Sequence, residues 1–202
     1  HIWNPVTSDV HLLADLQDEA HPGRHVTAVS WMPGGSALAI GTSDHVVQIW
    51  DVERNKKLRS MRGHMARVSA LSWYEHLLSS GSRDAHIFHH DVRVPMHHVK
   101  TLVGHEQEIC GLKWSLDGTQ LASGANDNLC CIWDAAATGD GPLHVLREHR
   151  AAVKALAWCP FQKNVLTTGA GTADRNIRFY NTKDGIMLDA IDTNSQVCSL
   201  VW

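Results

Sequence analysis

Five short apolar stretches end in tryptophan at nearly constant spacing: "VTAVSW" at Trp31, "VSALSW" at Trp73, "ICGLKW" at Trp114, "VKALAW" at Trp158 and "VCSLVW" at Trp202. The intervals are 42, 41, 44 and 44 residues. After each of the first four comes a second β-rich unit: "LAIGTSDHVVQIWD", "LLSSGSRDAHIFHHD", "LASGANDNLCCIWD" and "VLTTGAGTADRNIRFYN". In every one an aspartate stands six residues ahead of an aromatic or histidine, giving the pairs Asp44–Trp50, Asp84–His90, Asp127–Trp133 and Asp174–Tyr180. Three repeats also place a histidine nine residues before the first tryptophan: His64, His105 and His149. The earliest repeat breaks that rule, and its nearest candidates are His21 and His25.

A period of 40–45 residues with Gly-His and Trp-Asp marks is the signature of the WD40 β-propeller, which builds each blade from four strands. Gly63 and Gly104 supply the Gly-His mark, while the third histidine follows Glu148. In an antiparallel blade the d–a and b–c connections lie on the same face. The repeated histidine sits in the first and the repeated aspartate in the second, so each can satisfy the other in a buried setting. The indole N–H of a strand-c tryptophan such as Trp133 completes the network. His64, Asp84, His105, Asp127, Trp133, His149 and Asp174 therefore read as structural, and Asp44 with them. The expected fold is all-β, a WD40 propeller present as an incomplete arc of a seven-bladed ring. Residues 1–202 supply the end of one blade ("HIWNP"), four fuller repeats and the opening strand of the next. An open arc leaves strand edges unpaired, so the expectation is a larger propeller.

Composition narrows the function. A net charge of −3 and a pI near 6.6 argue against nucleic-acid or membrane-surface partners. No apolar run approaches the roughly 18 residues that span a bilayer. The five cysteines (Cys110, Cys130, Cys131, Cys159, Cys198) lack a C-x-x-C pair and sit in apolar runs, which points to reduced, buried thiols in an intracellular protein. Catalytic motifs are missing too: there is no G-x-S-x-G, no H-E-x-x-H and no phosphate-binding loop. The expectation is a binding protein, not an enzyme, with no cofactor.

Four constellations remain. In "HIFHHD", His86 and His90 share one strand face and His89 takes the other, so the three do not converge on a metal, and His90 fills the slot of Trp50 and Trp133. Cys130 and Cys131 are adjacent on a strand and read as packing residues. The basic run "ERNKKLRSMRGH" is either a solvated rim or, through Lys56, Lys57 and Arg59, a groove for an acidic peptide. Asn126 and Asn128 flank the structural Asp127. Thr172 occupies the matching turn of the next repeat, and Gln196 precedes the opening strand of the one after. Strand direction puts all four on one face. Amides and a hydroxyl suit the reading of polar peptide side chains, and the alternative for the asparagines is a turn role.

The phrases "GHEQEICGLKW", "LASGANDN", "AAVKALAWCPFQ", "GAGTADRNIRFYN" and "IDTNSQVCSLVW" closely resemble the Fizzy family, WD40 coactivators of the anaphase-promoting complex, from about Val26 to Trp202. "HIFHHDVR" and "AWCPFQ" look like the mitotic cell-division-cycle branch rather than the Fizzy-related branch. The resemblance implies a receptor that brings degron-bearing substrates such as cyclins and securin to the ubiquitin ligase, acts in nucleus and cytoplasm, and is inhibited by spindle-checkpoint proteins. In the family the KEN degron binds at residues matching Asn126, Asn128, Thr172 and Gln196. An ABBA-type pocket lies near the basic run, and the destruction-box site lies largely outside these residues. Family members usually read "GGNDN" and "GGGT" where Ala125 and Ala170 stand here, so a positive φ at either position would cost an alanine about 1 kcal/mol.

Overall fold

The computed structural model describes residues 1–16 and 22–202. A two-stranded antiparallel hairpin, β1 (Ile2–Trp3) and β2 (Val10–His11), precedes four sheets of four antiparallel strands each. The first sheet is β3 (Val26–Trp31), β4 (Ala37–Thr42), β5 (Val47–Asp51) and β6 (Lys56–Met61). The second is β7 (Val68–Tyr74), β8 (Leu77–Ser82), β9 (Ile87–Asp91) and β10 (His98–Leu102). The third is β11 (Ile109–Trp114), β12 (Gln120–Ala125), β13 (Cys130–Asp134) and β14 (His144–Leu146). The fourth is β15 (Val153–Trp158), β16 (Val165–Ala170), β17 (Asn176–Asn181) and β18 (Ile186–Asp192). Strand order follows chain order in each, and the first strands β3, β7, β11 and β15 pack successively against one another. They are the inner strands of four consecutive propeller blades.

The second strand of each blade is sandwiched, with β4 and β16 buried along their whole length. Apolar clusters fill the gaps between blades: Ile87, Leu102, Ile109 and Leu121 between the second and third, and Ile132, Leu146, Val153 and Leu166 between the third and fourth. Close approach explains a glycine that recurs in the second strand. A Cβ on Gly124 would lie 2.4 Å from the Val153 carbonyl of the next blade, and one on Gly81 would lie 2.5 Å from the Ile109 side chain. Each inner strand also shifts register after its first residue, leaving Thr27, Ser69, Cys110 and Lys154 outside the pairing. Thr27 Oγ1 donates to the Val68 carbonyl, and Ser69 Oγ to the Ile109 carbonyl at 2.6 Å, so the bulge ties one blade to the next.

Several sequence expectations need amendment. Residues 193–202 form no regular strand, since no strand pairs with them, although they occupy an inner-strand position. Val197 N–H donates to the Ala170 carbonyl, and Trp202 Nε1 donates to the Ala157 carbonyl at 3.2 Å. Trp73 and Trp158 make the matching bonds to Ser30 and Lys113. Of the five cysteines, all of them free thiols, only Cys130 and Cys131 are buried; Cys198 is exposed and the other two are half-buried. Ala125 and Ala170 end their strands fully buried with ordinary negative φ, so no left-handed penalty arises there. The left-handed residue comes later in the turn, just after each aspartate: His45, Ala85, Asn128 and Arg175, with φ between 59° and 69°.

Candidate functional site

The face bearing the b–c turns is organised by the histidine–aspartate pairs. In the third blade His105 Nδ1 lies 3.0 Å from Asp127 Oδ2, and its Nε2 lies 2.8 Å from Ser123 Oγ, which also accepts the Trp133 indole N–H at 2.8 Å. Because Nδ1–H donates to the carboxylate, Nε2 must accept, so the serine hydroxyl donates to it. The serine is the hub that the sequence reading missed. A hydroxyl residue at this level of the second strand (Ser80, Ser123, Thr168) was the available signal. Burial alone would raise the Asp127 pKa. The hydrogen bonds from His105 and from the backbone N–H groups of Glu106 and Leu129 outweigh it and hold the group below its usual range.

The other blades vary this scheme. In the second, His64 bridges Asp84 (3.0 Å) and Ser80 (2.8 Å), and His90 Nε2 takes the place of the indole at 2.9 Å. A histidine brings a second ring nitrogen that needs a partner, and His97 Nδ1 meets it at 3.0 Å. His89 turns the other way to Ser79 (2.8 Å), and His86 binds its own turn through the Asp84 carbonyl. In the fourth, His149 bridges Asp174 and Thr168, both at 2.6 Å, while the Tyr180 hydroxyl leaves the network for Glu148 at 3.1 Å. The first blade has Ile40 at the hydroxyl position and, among the described residues, no histidine partner for Asp44: Arg24 takes that role, 2.7–2.8 Å from the carboxylate. His25 instead contacts the Gly23 carbonyl, and His21 lies outside the described residues. Trp50 donates to Gln48 rather than to a central hydroxyl.

With Asp127 engaged, its neighbours are open. Asn126 is exposed, its backbone N–H donating to the Glu108 carbonyl and its Oδ1 accepting the Cys110 thiol at 3.0 Å. That thiol stays protonated, since burial and nearby Glu108 push its pKa up to about 11. The Asn126 amide N–H groups have no partner among the described residues. Asn128 holds the left-handed position (φ 68°) and its side-chain amide is likewise unpartnered among them. Thr172 Oγ1 donates to Gln196 Oε1 at 3.2 Å, leaving the Gln196 amide N–H groups available. Asn126 and Asn128 belong to the third blade and Thr172 to the fourth, adjacent through Gly124 and Val153, while Gln196 lies in the segment that follows β18. A 380 Å³ cleft opens beside Asn126, lined among others by Cys110, Lys154 and the Arg67–Glu108 pair. Arg67 grips Glu108 through two bonds of 2.7 and 2.8 Å, whereas the exposed Lys154 forms no ion pair among the described residues.

The basic run divides. Lys56 and Lys57 are exposed on β6, but the Arg59 guanidinium is committed to the carbonyls of Val92 (3.2 Å) and Val94 (2.7 Å) in the next blade. Lys100 and His144, at the same register of their own outer strands, donate to Ala137 (2.6 Å) and Lys183 (3.3 Å) carbonyls. Arg59 is thus one of three blade-to-blade staples, which its place in a charge run concealed.

The CDC20/Fizzy WD40 domain model matches residues 1–202. The chain is 52% identical over its full length to "Anaphase-promoting complex subunit cdc20" of Dictyostelium discoideum and 51% identical to "Protein FIZZY-RELATED 1" of Arabidopsis thaliana, so the two branches are matched equally. It spans about two-fifths of these relatives, 40% and 41% of their lengths. Among solved structures it superposes with a TM-score of 0.93 on a chain of the crystal structure of the Mitotic Checkpoint Complex, at 49% identity over 99% of this chain and 60% of that one. Fold, blade marks and full-length similarity agree: this chain belongs to the CDC20/Fizzy WD40 domain family.

Proposed function

We propose that the protein carrying this chain is a substrate-recognition coactivator of the anaphase-promoting complex, an adaptor and not an enzyme, and that the b–c turn face reads a Lys-Glu-Asn degron. The observation that carries the second part is the division of labour in one turn. Asp127 is spent on His105, while Asn126 and Asn128 on either side present amide N–H groups that have no partner among the described residues, on the blade adjoining the one that carries Thr172. Amide N–H groups can donate to the degron glutamate, amide and hydroxyl oxygens can accept from its lysine, and either can pair with its asparagine. Names of relatives support the first part, since one is an anaphase-promoting complex subunit and the structural neighbour belongs to a checkpoint complex. Partners on this reading are ligase subunits, substrates such as cyclins and securin, and spindle-checkpoint proteins, met in nucleus and cytoplasm. The histidine run of the second blade favours the mitotic branch. Lys56 and Lys57 form a second, acidic-peptide contact of the ABBA type, with Arg59 holding the adjacent loop.

The test is peptide affinity of the intact protein carrying Asn126→Ala with Asn128→Gly, a pair that keeps the left-handed turn unstrained. Loss of about tenfold for a Lys-Glu-Asn peptide is expected, the size of an unpaired polar group on each side. Unchanged affinity in a folded variant would reduce both asparagines to turn residues.

A further inference from the structure

The fourth blade departs from the others at three positions of the repeat. The residue after the network histidine is Met65 or Glu106 in the second and third blades and Arg150 in the fourth. The residue after the network aspartate is Ala85 or Asn128, and here Arg175. The residue four past that aspartate is Phe88 or Cys131, and here Arg178. The same turn forms in the second and third blades without any arginine at these places, so the framework does not require three. In the fold all three line one 310 Å³ cleft.

The charges in that cleft do not cancel. Asp174 is buried and fully engaged: Oδ2 takes His149 and Arg178 Nη1, and Oδ1 takes the Arg150 backbone N–H. Arg175 pairs with Asp192 at 3.0 Å, both of them well exposed. The exposed Arg150 guanidinium has no ion-pair partner among the described residues. Three guanidinium groups thus face two carboxylates, one of which is closed to new partners.

The cleft adjoins the polar site. Thr172 and Arg175 belong to one tight turn in which the N–H groups of Asp174 and Arg175 both donate to the Gly171 carbonyl. The Arg175 carbonyl in turn accepts from the N–H and hydroxyl of Thr193, at the start of the segment that carries Gln196. Three residues of chain span at most about 11 Å, and an extended peptide advances about 3.3 Å per residue. A peptide residue about three or four positions from the one at Thr172 reaches the arginines.

We propose that Arg150 and Arg175, backed by Arg178, form an anion subsite for an acidic or phosphorylated side chain flanking the degron. This rests on the degron reading and adds a selection among degrons by their flanks. Guanidinium forks favour planar carboxylate and phosphoryl oxygens, and a charge-assisted bond to Arg150 displaces no internal partner.

The experiment measures affinities of the intact protein for Lys-Glu-Asn peptides whose residues three and four from the motif, on either side, are alanine, glutamate or phosphoserine. Arg150→Gln with Arg175→Gln is the variant; Arg178 is left alone because it neutralises buried Asp174. The expectation is that an anionic flank tightens binding about fivefold at low ionic strength, that salt erodes the gain, and that the variant abolishes it while binding the alanine-flanked peptide as before. Glutamate matching phosphoserine would identify a carboxylate as sufficient; a gain with phosphoserine alone would identify a phosphorylated ligand. Equal affinity for all three peptides would overturn the subsite and leave the degron site standing. No binding by any of them would overturn both.

Discussion

The second blade should make this propeller acid-labile in a way its neighbours do not. Where the third blade places Trp133, the second places His90, only 2% exposed, and the adjacent His89 is 7% exposed. Burial, with like charge from His97, His64 and His98, pushes the His90 pKa down to about 3. Burial, Lys100 and His98 push His89 down to about 4. In the unfolded chain both titrate near 6.5, so above that pH neither carries a penalty. Below it the unfolded state binds more protons and stability falls, until the folded-state values are reached. Each group removes about 1.4 kcal/mol per pH unit. Between pH 6.5 and 4.5 the pair removes about 5 kcal/mol, His90 supplying about half of it, against a total stability of about 5–15 kcal/mol. This window lies above the carboxylate range, which separates it from protonation of Asp84 and Asp127. The perturbation is His90→Trp with His97→Ala, which restores the indole donor to Ser80 and makes room for it. Urea denaturation midpoints of the intact protein, followed by circular dichroism at pH 6.5, 5.5 and 4.5, provide the assay. The variant should lose about 2–3 kcal/mol less over the window, the remaining loss coming from His89 and from His149 of the fourth blade, which burial also holds below the usual imidazole range. Identical pH dependence in the two proteins would refute the assignment of the proton uptake to His90.

Two further outcomes are expected. Asp127→Ala strands the His105 Nδ1–H and two backbone N–H groups, so it should lower stability by about 1–3 kcal/mol, whereas Asn126→Ala should leave the melting temperature nearly unchanged; equal melting temperatures would remove the distinction between them. Lys56→Glu with Lys57→Glu should weaken acidic peptides in a salt-dependent manner without loss of stability, while Arg59→Ala should lower stability by freeing the Val92 and Val94 carbonyls; peptide titration at two salt concentrations and a thermal melt check both.

The tryptophan period, the strand-c marks and the histidine–aspartate spacing were legible because a repeat displays one physical requirement several times over. A residue visible in four registers declares the common frame even where one copy deviates. What the sequence concealed is relational. Ser123 sits between His105 and Trp133 as an acceptor and donor, yet a serine in a strand announces nothing by itself. Arg24 stands where the other blades have a histidine and donates to the aspartate through a different side chain, so the histidine spacing does not reveal it. Arg59 looked like part of a charge cluster because its partners are backbone carbonyls of another blade. Asn128 occupies the left-handed turn position, and its side-chain amide has no partner among the described residues. The alanines at 125 and 170 looked like departures in the turn, but the positive φ falls after the aspartate, where His45, Ala85 and Arg175 tolerate it as well.

The most direct measurement of the central claim is a crystal structure of the intact protein with a Lys-Glu-Asn peptide bound. The account places the motif on the b–c turn face, its polar side chains about 2.7–3.2 Å from groups of Asn126, Asn128, Thr172 and Gln196, with Asp127 still held by His105. A peptide ordered elsewhere on the propeller, with those four side chains facing solvent, would contradict it.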